Sequence, residues 1–360
     1  MKKIIISIVP HLEGGGIERI VTQISSGLIK EKNTETHIIT TKPYTGNIPY
    51  DKRIFIHNLN LTKRNKLNFR RSNKYKSKFI DDYIFNNITS KPSLVLAHQE
   101  STHKCMKYST LSNLYFVIHS NISKSKLKNK NTIKRIFSIF KIYNLYKKKN
   151  CICVSNGIKN DLKNTFFIHH ASVIYNAINI EETKLVASES YDKQKNDYYI
   201  HVGNFTDAKR QDRLVESFIK SKVDKDLIMI GGGNFNLSKV KNIIVSHNLR
   251  DRIKILGFKE NPYPYIKDSK GLILSSDYEG LPMVLLEALA LNVPIISTNC
   301  KSGPIEVVGE EGLHCLSDLT VNSLSEKIAE LDKNPEKFKI KINEKFMLSY
   351  CIEQYYKLVK

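Results

Sequence analysis

The sequence predicts an α/β protein of two domains, each built on a parallel sheet. Three observations carry that expectation. Short apolar runs recur along the chain and alternate with polar or helix-forming segments, as strands buried on both faces do in strand–helix–strand units. The chain has 360 residues, enough for two separate cores. Charge is divided unevenly: residues 1–180 hold 31 Lys and Arg against 9 Asp and Glu, and residues 181–360 hold 26 against 26. The whole net charge of +22 therefore lies in the first half, and so sharp a change marks a domain boundary near residue 180.

Composition narrows the class. Hydrophobic residues make up 41% and no apolar run approaches the roughly 18 residues of a membrane span, which predicts a soluble protein. Lys2 and Lys3 precede an apolar run, as in a signal peptide. That run is only about seven residues and no small-residue cleavage site follows, so it reads as a first strand. Cys105, Cys151, Cys153, Cys300, Cys315 and Cys351 are scattered without CxxC spacing. They indicate neither a zinc site nor a disulfide framework, and this fits a reducing cytoplasm.

In chain order, Ile4–Val9 reads as a buried strand and Pro10–Gly16 as a glycine-rich loop. Ile17–Leu28 follows as a helix, with Ile17, Val21, Ile24 and Leu28 on one face. Strand, glycine loop and helix make a Rossmann-like opening, but the GxGxxG of a dinucleotide enzyme is absent. Further strands are expected at His37–Thr41, Ile54–His57, Leu94–Ala97, Tyr115–Ile118 and Cys151–Val154. His98 and His119 each follow one of these, at the carboxyl edge where such sheets bind ligands. For His119 an ordinary surface histidine is the competing reading. Ser155 reads as a helix cap.

Two basic segments stand out. Residues 63–78 carry eight Lys and Arg, and residues 101–160 contain no acidic side chain. Ile133, Ile136, Phe137 and Phe140 share a helical stripe there, flanked by Lys134, Arg135, Lys141 and Lys147–Lys149. A basic amphipathic helix reads as a membrane-surface element; a core-facing helix with a lysine-rich outer face is the alternative.

In the second half, strands are expected at Tyr199–Val202, Leu227–Ile230 and Ile253–Leu256. The loop Gly203–Asp212 leads into a helix at Arg213–Ile219, and Gly231–Gly233 form a turn. Residues 271–298 make the sharpest unit: strand Gly271–Leu274, turn Ser275–Pro282, helix Met283–Leu291 and strand Pro294–Ser297. Pro282 suits the first helical position, and Asn292 ends the helix. Such a unit presents free N–H groups and a positive helix end, a ready phosphate site. Glu279 stands in the turn and Glu287 among Val284, Leu285, Leu286, Ala288, Leu289, Ala290 and Leu291, on a helix expected to be buried. Read blandly, Glu279 caps the helix and Glu287 is solvated. Read functionally, a carboxylate kept in so apolar a setting has a partner and a task.

Glu279, seven residues, then Glu287, with the Glu-Gly-Leu-Pro turn and the Pro-led strand, resembles the EX7E element of retaining, nucleotide-sugar-dependent glycosyltransferases of family 4. These have the GT-B fold, two Rossmann-like domains with parallel sheets facing across a cleft. The resemblance implies domains at 1–178, with a C-terminal helix 346–360 packing back on it, and at 179–345. Val173–Asn179 resembles the family's hinge. The resemblance places Glu279 and His119 near the donor sugar, Glu287 on the ribose hydroxyls, and the backbone of Gly280, Leu281, Pro282 and Met283 at the diphosphate, with Pro282 giving no N–H. Gly203–Asp212 resembles the G-R-[LF]…K segment whose Arg and Lys bind phosphates: Lys209 matches the lysine, and Asn204 stands in place of the arginine. Gly257 and Phe258 match the turn that reads the base. Gly15 and Gly16 match the Gly-Gly-x-Glu loop that covers the donor phosphate and sugar when the cleft closes and water is excluded.

The expected activity is transfer of a hexose or N-acetylhexosamine from a nucleotide-diphosphate sugar, with a UDP-sugar as donor, to a lipid-linked or lipopolysaccharide-type glycan. It is expected at the inner face of the cytoplasmic membrane in bacterial surface polysaccharide synthesis. No DxD stands in suitable strand context, so no metal or other cofactor is expected, and Lys209 with helix N-termini handles phosphate charge. Two rivals remain at this point: an inactive nucleotide-sugar-binding homologue, motivated by Asn204, and a polyanion- or nucleic-acid-binding protein, motivated by the charge of +22.

Overall fold

The computed structural model describes residues 2–13, 15–43, 50–61 and 72–360. Gly14 of the glycine loop and residues 63–71 of the first basic segment lie outside the described residues. The chain divides into two units, Met1–Ala177 with Leu348–Lys360, and Ile178–Met347.

The first unit runs β1 (Lys3–Val9), α1 (Gly16–Leu28), β2 (Thr34–Thr40), β3 (Phe55–Asn58), α2 (Asn73–Asn87), β4 (Leu94–His98), α3 (Glu100–Cys105), β5 (Leu114–Ile118), α4 (Ile122–Leu127), α5 (Thr132–Tyr146), β6 (Asn150–Cys153), α6 (Asn156–Phe166) and β7 (Ala171–Val173). Its seven strands form one sheet in the order β3-β2-β1-β4-β5-β6-β7, every pair parallel. β1 is central because its continuous apolar run suits burial on both faces; Ile5, Ile6, Ile8 and Val9 are all fully covered. Val9, Leu12, Val21, Ile38 and Ile54 form a cluster that ties α1 to the strands, with Ile17 packed against it. Ser155 caps α6, its Oγ accepting from the Ile158 N–H at 3.2 Å.

The second unit runs α7 (Ile180–Val186), β8 (Tyr198–Val202), α8 (Gln211–Ser221), β9 (Asp226–Ile230), α9 (Leu237–Ser246), β10 (Ile253–Gly257), α10 (Tyr263–Lys267), β11 (Gly271–Leu274), α11 (Met283–Ala290), β12 (Ile295–Thr298), α12 (Pro304–Val308), β13 (Leu316–Ser317) and α13 (Val321–Lys333). Its parallel sheet has the order β10-β9-β8-β11-β12-β13. Strand order reverses between β8 and β11, and the crevice outside their carboxyl ends is where sheets of this kind bind ligands. α11 starts at Met283, as the sequence predicts, with Pro282 just before the first helical residue rather than in its first position. The last helix, α14 (Leu348–Tyr356), belongs to the first unit, where it packs on α1. A Cβ on Gly27 would collide with Ile352, so glycine at that position lets the two helices approach closely. Lys3 Nζ also donates to Tyr356 Oη at 2.7 Å.

Candidate functional site

In the second unit the loops after β8 and β11 are bonded into one piece. The Ser275 hydroxyl donates to the Lys209 carbonyl at 2.8 Å, and the Asp277 N–H donates to the Ala208 carbonyl at 2.7 Å. The buried Arg213 guanidinium donates to the Ser275 carbonyl at 3.0 Å and to the Asp277 carboxylate. These bonds fix where Lys209 begins, and its side chain then reaches Glu279: Nζ to Oε1 is 2.7 Å. The Ser276 hydroxyl donates to the same Glu279 oxygen at 2.5 Å. With side chains 22% and 11% exposed, this pair is sheltered but open to a ligand. Glu279 is thus not a helix cap, since no side chain caps α11.

Beside the pair, Arg210 takes a left-handed backbone (φ 48°) and bonds to Asp212 at 3.0 and 3.2 Å and to Asp277 at 3.3 Å. Burial disfavours the Asp212 carboxylate, yet hydrogen bonds from Arg210 and Lys239 hold its pKa well below the usual range. His201 is fully buried on β8. Burial drives its pKa down to about 4, so the ring is neutral, and Nδ1 contacts the Ile273 carbonyl oxygen at 2.9 Å.

Asn204 meets the glycine turn: its Oδ1 accepts from the Gly232 N–H at 3.0 Å. The turn needs its glycines. A Cβ on Gly231 would strike the Gly203 carbonyl, and Gly233 sits at φ +83°. The Gly257 carbonyl accepts from the Gly231 N–H at 2.9 Å, and Phe258 follows with its ring 61% exposed. The carboxyl ends of β8, β9 and β10 therefore bring Gly203, Asn204, Gly257 and Phe258 close together. Gly280, Leu281, Pro282 and Met283 lie at the start of α11. Gly303, at φ +93°, lets the following loop lie on them: a Cβ there would be 2.5 Å from Pro282 Cδ and 3.0 Å from the Gly280 carbonyl. Glu287 is half-buried on a helix whose Val284, Leu285, Leu286, Ala288, Leu289 and Ala290 are buried, and its Oε1 accepts from the Tyr263 hydroxyl at 3.3 Å.

The remaining sequence candidates belong to the first unit. Gly15 and Gly16 open α1, where the buried Glu18 carboxylate occupies the space a Cβ on Gly15 would need. Gln99 donates to Glu18 Oε1 at 2.9 Å. His119 is no free surface residue: its Nε2 lies 3.0 Å from His98 Nδ1, and the two rings stack. Burial lowers both pKa values, that of His119 to about 3, leaving two neutral rings. Among the described residues, His98 Nε2 and His119 Nδ1 are buried without a hydrogen-bond partner.

Comparison with known proteins shows the family of the chain. The family model for glycosyl transferases group 1 matches residues 184–345, and that for glycosyltransferase family 4 matches residues 14–182. An uncharacterised glycosyltransferase of Methanocaldococcus jannaschii is 30% identical over 329 residues, 89% of this chain and 86% of that protein. The chain belongs to the group 1 glycosyltransferases. A transferase of Campylobacter jejuni, N-acetylgalactosamine-N,N'-diacetylbacillosaminyl-diphospho-undecaprenol 4-alpha-N-acetylgalactosaminyltransferase, is 29% identical over 54% of this chain. The match spans about half the length of several curated relatives, 54% for that enzyme and 45% for an Escherichia coli lipopolysaccharide 1,6-galactosyltransferase. A glycosyltransferase structure from Rickettsia africae superimposes with a TM-score of 0.72 at 18% identity, covering 99% of this chain and 98% of that one. The fold is GT-B.

Sequence reasoning missed several residues of this glycosyltransferase. Arg210, Arg213, Asp277 and Ser276 hold the Lys209–Glu279 pair, yet a lone Arg or Ser in a loop carries no pattern. Glu18 had a signal, as the Glu of the Gly-Gly-x-Glu resemblance. The α5 stripe resolves in favour of an outward face: Ile133, Ile136, Phe137 and Phe140 are 67%, 61%, 70% and 64% exposed. That stripe does not face the core; the buried side chains of α5 are Ile142, Leu145 and Tyr146, nearer its end. Among the described residues no helix is long and apolar enough to cross a membrane, and no group of three His, Cys, Asp or Glu is arranged to hold a metal ion.

Proposed function

We propose that this glycosyltransferase moves a hexose or N-acetylhexosamine from a nucleotide-diphosphate sugar, a UDP-sugar first among them, to a lipid-linked or lipopolysaccharide-type glycan, with retained configuration. The observation that carries the reading is the meeting of Lys209 and Glu279 at the carboxyl ends of β8 and β11, beside the start of α11. An ammonium and a helix N-terminus there would offset the charge that develops on a leaving diphosphate, without a metal. Glu287, held by Tyr263, would take the ribose hydroxyls, and Glu279 would stand near the sugar. The names of the Campylobacter and Escherichia relatives, a diphospho-undecaprenol glycan and a lipopolysaccharide, support the acceptor class.

The same reading places the acceptor at an anionic membrane surface on the cytoplasmic side. Four large apolar side chains stand out from α5, and the stretch 101–160 around them has no acidic residue to repel anionic lipid. The activity test is release of UDP from UDP-sugars, with bacterial lipid-linked glycans as acceptors and EDTA present. Turnover by the wild type is expected, with a fall of about 10²–10³ in kcat for Lys209→Ala. Absence of turnover with UDP-, GDP- and ADP-sugars alike would sink the reading.

A further inference from the structure

The first unit contains a pocket of about 500 Å³ lined by four lysines and one acidic residue. It lies at the carboxyl edge of the sheet. Thr41 and Lys42 follow β2, and Gln99 and Glu100 follow β4, the two strands that flank β1; Lys76 comes from α2, Lys104 from α3 and Lys126 from α4. Four separate segments thus deliver a lysine to one concavity of small-ligand size.

The charges do not cancel. Glu100 bonds Lys104 at 2.5 Å and Lys126 at 2.7 Å, which holds both ammonium groups beside the pocket. Among the described residues no carboxylate lies within ion-pair distance of Lys42 or Lys76. Like charges gathered in a hollow repel one another more than they would on an open surface, and a bound anion relieves that cost. Ammonium groups converging from several directions suit a phosphoryl or diphosphoryl group, with its many acceptor oxygens, better than a single carboxylate. Thr41 and Ser101, two hydroxyl-bearing residues, also line the pocket.

A short segment ties this pocket to the residues already described. Gln99 stands at φ +68°, an unusual backbone for a residue other than glycine, and donates to Glu18 beside Gly15. His98, its neighbour, is the partner of His119.

We propose that this pocket binds the phosphoryl or diphosphoryl group of the acceptor, an inference that rests on the glycosyltransferase reading for the word acceptor but not for the anion. The test is calorimetric titration with inorganic pyrophosphate in the presence of saturating UDP, comparing wild type with Lys42→Ala/Lys76→Ala. The expected result is binding by the wild type and a loss of about tenfold or more in the double variant. The single variants are titrated alongside, with melting midpoints to show folding; each is expected to show a partial loss. Farnesyl diphosphate in phosphatidylcholine vesicles, set against farnesol, identifies the source. Tighter binding of farnesyl diphosphate than of pyrophosphate points to a lipid diphosphate, and equal binding to a soluble phosphorylated glycan. Pyrophosphate binding that is absent in the wild type, or unchanged in all the variants, overturns the proposal. Stabilisation by UDP is read separately: its absence counts against the donor site of the second unit, whereas its persistence in the lysine variants confines their defect to the pocket.

Discussion

Single residues carry the most specific consequences. Arg213 is buried and donates to both Ser275 and Asp277, so Arg213→Ala leaves the Ser275 carbonyl without this donor, while Asp277 keeps Arg210. A loss of about 1–3 kcal/mol is expected, read as a lower urea midpoint. Asn204 uses its oxygen to accept from the Gly232 N–H. Asn204→Arg brings in the family's charge but loses that acceptor, so about 1 kcal/mol of stability should be lost while affinity for UDP rises. Unchanged affinity would show that Lys209 alone serves the phosphates. The buried histidines set a pH limit. His103 and His201 have pKa values pushed by burial to about 4, below the roughly 6.5 of an unfolded chain. The unfolded chain binds their protons first as pH falls, so stability is full above about pH 6.5. Below that each histidine should cost about 1.4 kcal/mol per pH unit until its folded pKa is reached. Urea midpoints from pH 7.5 to 5 should show this slope, and His103→Gln should reduce it.

At the scale of elements, what was legible followed from burial. β1, β4, β8 and β11 announce themselves because strands covered on both faces must be apolar throughout. β7 and β13 escaped because runs of three and two residues carry no periodicity. α11 was legible as a helix, but the contact of Lys209 with Glu279 spans 70 residues and depends on loop bonding that no local pattern encodes. The same helix supplies a stability test: Leu285 is fully buried on it, and Leu285→Ala should cost about 2–5 kcal/mol. α5 behaves in the opposite way. Its exposed Phe137 and Phe140 contribute little to the core, so Phe137→Ser/Phe140→Ser should leave the melting midpoint nearly unchanged. Cosedimentation with phosphatidylglycerol vesicles should fall severalfold. Equal cosedimentation would remove α5 from the membrane contact.

Across the whole molecule, the chain passes from the first unit to the second near residue 178 and back near 347, and the two passages are paired: the Ile178 N–H donates to the Phe346 carbonyl at 2.9 Å. α14 then completes the first unit, with Cys351, Ile352 and Tyr355 buried. Ending the chain after Met347 should uncover the Gly27 face of α1 and lower the melting midpoint of the first unit, while the second unit keeps any nucleotide affinity. The charge excess, legible from composition alone, reaches the structure as the α5 surface and the lysine pocket. The central claim is that the Lys209–Glu279–Glu287 region of the second unit is a donor site. Its most direct test is thermal shift with UDP-, GDP- and ADP-sugars in EDTA, repeated on Glu287→Ala. The account predicts that one nucleotide, UDP first, raises the wild-type midpoint and that the variant loses the response; equal responses from wild type and variant, or none from the wild type, would contradict it.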